Sequence, residues 1–192
     1  MDLIEEYGRI KAGHRSAVPE RVARVTLGAS VMRVFAKGTR DDLRKALVGI
    51  PAEQLRSIPD DEKFREWFEV QLRTVGEAIH LKNTKNARVQ PGAVWGHGTK
   101  VLTIFLREMV AHTRVFKDGE VGRIERLLYV PLDRITMDRL LKLGVPLPFR
   151  RIREIDSARK FYDVQSQLAT AAKRVGVPPV WFDDNWGDRQ ED

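Results

Sequence analysis

The stretch Val94-Trp95-Gly96-His97-Gly98-Thr99-Lys100 runs directly into Val101-Leu102-Thr103-Ile104-Phe105-Leu106 and sets the reading of the chain. Two glycines separated by one residue predict a tight turn whose backbone can come close to another molecule. A helix is expected right behind it, with Lys100 in its first turn at the edge of an apolar run. Unsatisfied N–H groups at a helix start favour anions. The stretch therefore reads as a phosphate-holding turn with an amine beside it. The plainer alternative is a glycine loop before a helix with a solvated lysine, since short Gly-x-Gly matches are common by chance.

Outward from that turn, helical periodicity dominates. Pro19 suits the first turn of a helix. Val22, Val25, Leu27, Val31, Val34 and Phe35 then predict one long apolar helix ending near Lys37-Gly38. Residues 2–12 predict a short helix weakened by Gly8. Thr39 is the expected N-cap of the next helix, with Asp41 and Asp42 in its first turn and Pro51 closing it. Asp60 caps a helix carrying Phe64, Trp67, Phe68, Leu72, Val75 and Ile79, a stripe that reads as core.

The segment 82–88 is polar and basic, and Lys85 within it is a candidate phosphate contact. Behind the glycine turn a helix is expected over 99–115, followed by a turn at 117–120. Ile124 to Val130 read as a strand or a buried connector, with the connector favoured. Pro131-Leu132-Asp133 opens a helix closed by Gly144. Asp156 is the expected cap of a last long helix over 157–175. The aromatic tail Val180-Trp181-Phe182 is expected to dock on the core. Strand signals are almost absent, so the fold class is all-α, with seven to nine helices.

Composition narrows the function classes. The 192 residues suit one domain or two small lobes. Lys and Arg number 34 against 27 Asp and Glu, a net charge of +7 that favours polyanionic partners. There is no cysteine, which excludes disulfides, thiolate metal sites and cysteine nucleophiles. His14, His80, His97 and His112 lack metal-ligand spacing, so no metal is expected. No apolar run has the length of a membrane span, and the acidic N-terminus lacks a signal-peptide core. The expectation is a cytoplasmic protein, nucleoid-associated in a prokaryote, with no membrane partner.

Two segments carry the chemistry: Gly96-His97-Gly98-Thr99-Lys100, and Leu132-Asp133 followed by Lys142-Leu143-Gly144-Val145. Together they resemble the helix-hairpin-helix DNA glycosylases of the HhH-GPD superfamily. There the hairpin reads Gly-hydrophobe-Gly-x-Lys in bifunctional members, and the next block reads Val-Asp followed, in register, by Arg-Leu-Gly-Leu. His97 departs from the small hydrophobe, and Arg134-Ile135 departs from Thr-His. The long gap between Lys100 and Asp133 is closest to the archaeal 8-oxoguanine glycosylase branch.

The resemblance covers about 90–146. It implies a single glycosylase domain over 1–192, a two-lobed helical bundle whose helix-hairpin-helix core spans about 82–146. It also implies a bifunctional enzyme that excises a damaged or modified base, such as an oxidised purine, from duplex DNA, acting as a monomer without a cofactor. Lys100 is then the nucleophile and Asp133 the carboxylate that stabilises charge on the sugar. Gly96, His97, Gly98 and Thr99 would hold a DNA phosphate, with Lys85, Arg150 and Arg151 adding contacts. Taken singly, Asp133 also reads as a plain N-cap, and the basic cluster as a solvated charge run. The competing function is a non-catalytic helix-hairpin-helix DNA-binding protein.

Overall fold

The computed structural model describes residues 17–81, 94–111, 113, 115–142 and 144–184. The helix expected at 2–12, the basic segment with Lys85, and Trp186 lie outside the described residues. The described chain is helical, with no strand among the described residues and one isolated antiparallel bridge, Phe35 to Leu81.

The first helix, α1, covers 17–26. The single long helix expected to reach Lys37 is instead broken at Gly28, whose backbone is extended (φ −64°, ψ 171°). A short α2, Ala29–Met32, follows. Phe35 then turns into the bridge, and the Ala36 amide donates to the His80 carbonyl at 2.7 Å. The apolar run masks this break in the sequence, because Leu27 and Phe35 on its two sides are both buried.

Helix α3 is Thr39–Val48, and its N-cap is Gly38 rather than the expected Thr39. Gly38 sits at φ 94°, where glycine avoids the Cβ penalty. Thr39 is buried instead, and its hydroxyl donates to the His80 carbonyl at 3.1 Å. A 3-10 turn, Ala52–Arg56, leads to α4, Asp61–Glu77. The Asp60 carboxylate caps α4 by accepting from the Lys63 amide at 2.9 Å. We expect Asp60→Ala to remove about 1 kcal/mol of stability, lowering the thermal midpoint by roughly 2–4 °C. Calorimetry of the two proteins checks this.

The aromatic stripe of α4 is core. Phe64 and Phe68 are buried, and Phe68 stacks on Phe161 with ring centroids 5.9 Å apart. A π-helical turn, Val94–Gly98, leads without a break into α5, Thr99–Ala111. Val101, Leu102, Phe105, Leu106 and Met109 of α5 are all buried, and α5 packs on α4 and α6.

Helix α6, Asp118–Leu127, was not expected as a helix. The turn expected at 117–120 is its capped start, where Glu120 accepts from the Lys117 amide at 2.8 Å. The apolar stretch from Ile124 therefore divides, with Ile124 and Leu127 inside α6. Leu128, Val130 and Leu132 form a buried non-helical connector. It delivers Asp133 to the start of α7, Arg134–Lys142.

A 3-10 turn, Ile152–Glu154, precedes α8, Ala158–Val175. Ser157, not Asp156, takes the N-cap position of α8. The Asp156 carboxylate pairs with Lys160 at 2.8 Å instead. The last element among the described residues is α9, Trp181–Asp184, next to the buried Val180. Buried apolar residues from Val18 to Val180 form one contiguous core.

Candidate active site

Lys100 and Asp133 meet. Lys100 Nζ lies 3.5 Å from Asp133 Oδ2, and their side chains are 18% and 25% exposed. Helix α5 sets the lysine, and the end of the 128–133 connector sets the carboxylate. The two Asp133 oxygens have separate tasks. Oδ1 accepts from the Thr136 amide at 3.0 Å and so caps α7. Oδ2 is left to face Lys100. The N-cap reading and the functional reading of Asp133 therefore coexist in one side chain.

Burial pushes the Asp133 carboxyl up, but the Thr136 amide and the Lys100 charge outweigh it. The group is held below the ordinary carboxylate value and stays ionised at neutral pH. Such a carboxylate is a weak proton acceptor. It is better suited to stabilising positive charge that develops beside it.

Behind this pair runs a network that sequence reasoning did not find. The Thr136 hydroxyl lies 2.8 Å from Asp183 Oδ1 and 3.2 Å from Asp133 Oδ1. Its single proton serves the nearer Asp183. Asp183, at 7% exposure, is also paired with Arg107. The same guanidinium reaches Glu108 Oε1 at 2.6 Å. Lys100, Ile104, Arg107 and Glu108 recur at helical spacing on one face of α5. That face was readable as polar groups inside an apolar helix. Asp183 carried no such signal, because its position depends on how the C-terminal segment docks.

These groups surround a cavity of about 180 Å³. The α1–α2 break supplies one wall with Val25, Thr26, Gly28, Ser30 and Val31. The polar face of α5, Pro131, Asp133 and Asp183 supply the rest. A larger cavity of about 490 Å³ opens between α4, α6 and α8, lined in part by Arg65, Tyr129 and Tyr162. It contains neither Lys100 nor Asp133. Arg65 there is occupied by Glu69 at 3.1 Å and lies 4.0 Å above the Tyr162 ring. Lys100 and Asp133 line the smaller cavity.

The glycine stretch differs from its sequence reading. The tight turn expected at Gly96 and Gly98 is a helical turn continuous with α5. Lys100 therefore sits beyond the first turn of its helical segment, so no free helix start lies beside it. Gly96, Gly98 and Thr99 are all buried. A Cβ on Gly96 would fall well inside van der Waals contact with the Ile152 carbonyl oxygen. A Cβ on Gly98 would lie 3.1 Å from Leu72 Cδ1. The glycines thus serve close packing rather than an open phosphate cradle. The Thr99 hydroxyl bonds back to the Trp95 carbonyl and lies 3.1 Å from the Gly96 carbonyl, occupying acceptors that the wide turn leaves.

His97 lies edge-on to Phe35 with ring centroids 5.8 Å apart. Burial, then the nearby Lys100 charge, lowers its pKa from the ordinary 6.5. The unfolded chain therefore takes up a proton that the folded chain resists as pH falls below 6.5. That contribution to stability is present above this value and declines below it. We expect His97→Leu to make stability less sensitive to acid between about pH 6.5 and pH 5. Thermal midpoints of both proteins across that range check this. Parallel curves would show that His97 is not the group responsible.

The Ile152 carbonyl against Gly96 brings the basic cluster next to the glycine turn. Arg150, Arg151 and Arg153 are exposed there. The Arg150 and Arg151 amides donate to Glu154 Oε2 at 2.9 and 3.3 Å, which shapes the turn. Trp95 is partly buried and packs against Phe161 and Tyr162 at the margin of the core. Trp181 is exposed.

No family model matches this chain, and neither a curated protein nor a solved structure matches it.

Proposed function

We propose that this protein is a DNA glycosylase with associated lyase activity, acting on a damaged or modified base in duplex DNA. The observation that carries the reading is the 3.5 Å approach of Lys100 Nζ to Asp133 Oδ2 at the edge of a polar cavity. The two residues lie in separate sequence motifs, one in α5 and one before α7. An amine and an ionised carboxylate together suit attack at C1′ of a deoxyribose.

In this reading the target nucleotide leaves the stack, and its base enters the cavity. The base departs with the glycosidic electron pair while Asp133 stabilises the positive charge on the sugar. The Lys100 amine, once neutral, bonds to C1′; the C1′–O4′ bond then breaks, O4′ takes up a proton from the nitrogen, and the opened sugar is left as a protonated Schiff base between Nζ and C1′. Loss of a C2′ proton then breaks the C3′–oxygen bond and cuts the strand. An oxidised purine is the substrate class that the family resemblance suggests.

The helix-hairpin-helix motif and the two-lobed arrangement belong to the same proposal. The α1–α2 break forms one side of the cavity; α5 and the 128–133 connector form the other. Arg150 and Arg151, exposed beside the buried glycine turn, are the proposed phosphate contacts in place of the glycine amides, and Lys85 is a further candidate.

The test is incubation with duplex oligonucleotides that each carry one modified base, with free base and strand cleavage followed separately. Release of one base class with cleavage at the same site supports the proposal. Salt-dependent duplex binding with no base release from any duplex would favour a non-catalytic DNA-binding protein.

A further inference from the structure

The Thr26 hydroxyl stands out among the buried threonine hydroxyls. Thr26 is 2% exposed, and its Oγ1 has no hydrogen-bond partner among the described residues. The other buried threonines among those residues are all bonded. Thr39 donates to the His80 carbonyl, Thr99 to Trp95, Thr103 to Thr99, and Thr136 to Asp183. Thr99 and Thr103 bond to the carbonyl four residues back, the usual outlet for a helical threonine. Thr26 ends α1 and has not taken that outlet.

A buried hydroxyl left without a partner costs about 1–3 kcal/mol. Such a group in a folded protein needs an explanation, and a functional role is one. Its location supplies the role. Thr26 is part of the cavity wall that also holds Lys100 and Asp133. Gly28 beyond it carries no side chain into that space.

The cavity also limits what enters. Its volume of about 180 Å³ lies below the roughly 300–1,000 Å³ usual for drug-sized ligands. It suits one heterocyclic base with the sugar at the mouth beside Lys100. The Arg107 guanidinium is engaged with Asp183 and Glu108. Two neutral hydroxyls border the cavity, those of exposed Ser30 and buried Thr26; the Thr26 hydroxyl, which can donate or accept, is the buried one without a partner.

We infer that Thr26 is a specificity-determining residue, whose hydroxyl hydrogen-bonds a carbonyl or ring N–H of the extruded base. The inference rests on the glycosylase reading above. It separates recognition of the base, by Thr26, from chemistry at the sugar, by Lys100 and Asp133. Thr26→Val replaces the hydroxyl by a methyl of similar shape. Because no bond within the protein is lost, the fold should be as stable or slightly more stable.

The experiment compares the full chain, Thr26→Val and Thr26→Ser. Each is given duplexes carrying a single 8-oxoguanine, a single uracil, or only undamaged bases, and its thermal midpoint is measured. Thr26→Val is expected to lower kcat/KM for the preferred base by about ten-fold and to narrow the preference between duplexes. Its melting midpoint should equal or exceed that of the parent. Thr26→Ser keeps the hydroxyl and should retain the preference. Undiminished release and preference in Thr26→Val would overturn the inference while leaving the glycosylase reading standing. A lower midpoint in Thr26→Val would also overturn it, by showing that the hydroxyl serves the fold. Absence of release by the parent protein from every duplex would overturn the glycosylase reading, and this inference with it.

Discussion

Gly96→Ala is expected to cost the fold about 3 kcal/mol, the upper part of the range for overpacking, and to lower the thermal midpoint by roughly 6–12 °C. The cause is local and geometric. The added Cβ meets the Ile152 carbonyl oxygen, a backbone atom that no rotamer change can move aside. Either the π-turn or the 152–154 turn must shift, and the π-turn leads straight into the helix that carries Lys100. Gly122→Ala is the control. Gly122 lies exposed inside α6, and a Cβ there meets nothing within 4 Å. That change should stabilise by about 0.5–1 kcal/mol through helix propensity. Equal melting of Gly96→Ala and the parent would show that the close approach to Ile152 is not a constraint.

Asp133→Asn is expected to slow base release by roughly 10²–10³-fold while keeping the cap of α7. The two halves of this prediction separate the roles of the carboxylate. An asparagine caps a helix about as well as an aspartate, so the bond from the Thr136 amide survives. The charge facing Lys100 does not. Duplex binding should be unchanged or tighter, because a negative charge near the phosphates has gone. Asp133→Ala should lose both roles, and melt about 1 kcal/mol less stable. An Asn variant that releases base at the parent rate would reduce Asp133 to a cap. The depressed pKa adds a stability component that is present above the ordinary carboxylate value and is lost as pH falls through the folded value.

Much of the helical plan was legible from periodicity and caps. Asp60, the apolar stripe of α4, and Gly144 after α7 acted locally, so the chain declared them. The failures share one cause, a long-range contact overriding a local signal. Gly96 and Gly98 read as a turn because glycine weakens helices. Contacts with Ile152, Leu72 and Ile79 make a helical course favourable there. Thr39 read as an N-cap, but the distant His80 carbonyl takes its hydroxyl.

The site divided in the same way. Lys100 and Asp133 are prominent in the sequence through their motifs, and the fold brings their side chains within 3.5 Å. Asp183 and Thr26 were not identified. Each matters only because a helix end or helix break from elsewhere in the chain borders the same cavity. The motif did not cover those segments, and a polar residue at such a position looks ordinary from sequence alone.

The central claim is that Lys100 is a nucleophile held beside Asp133, and borohydride trapping tests it most directly. The full chain is mixed with duplex DNA containing the base it releases, sodium borohydride is added, and the adduct is digested and mapped by mass spectrometry. The account predicts one covalent protein–DNA adduct, with the sugar attached at Lys100 Nζ and none formed by Lys100→Gln. Base release with no adduct, or an adduct mapped to another amine and retained in Lys100→Gln, would contradict it.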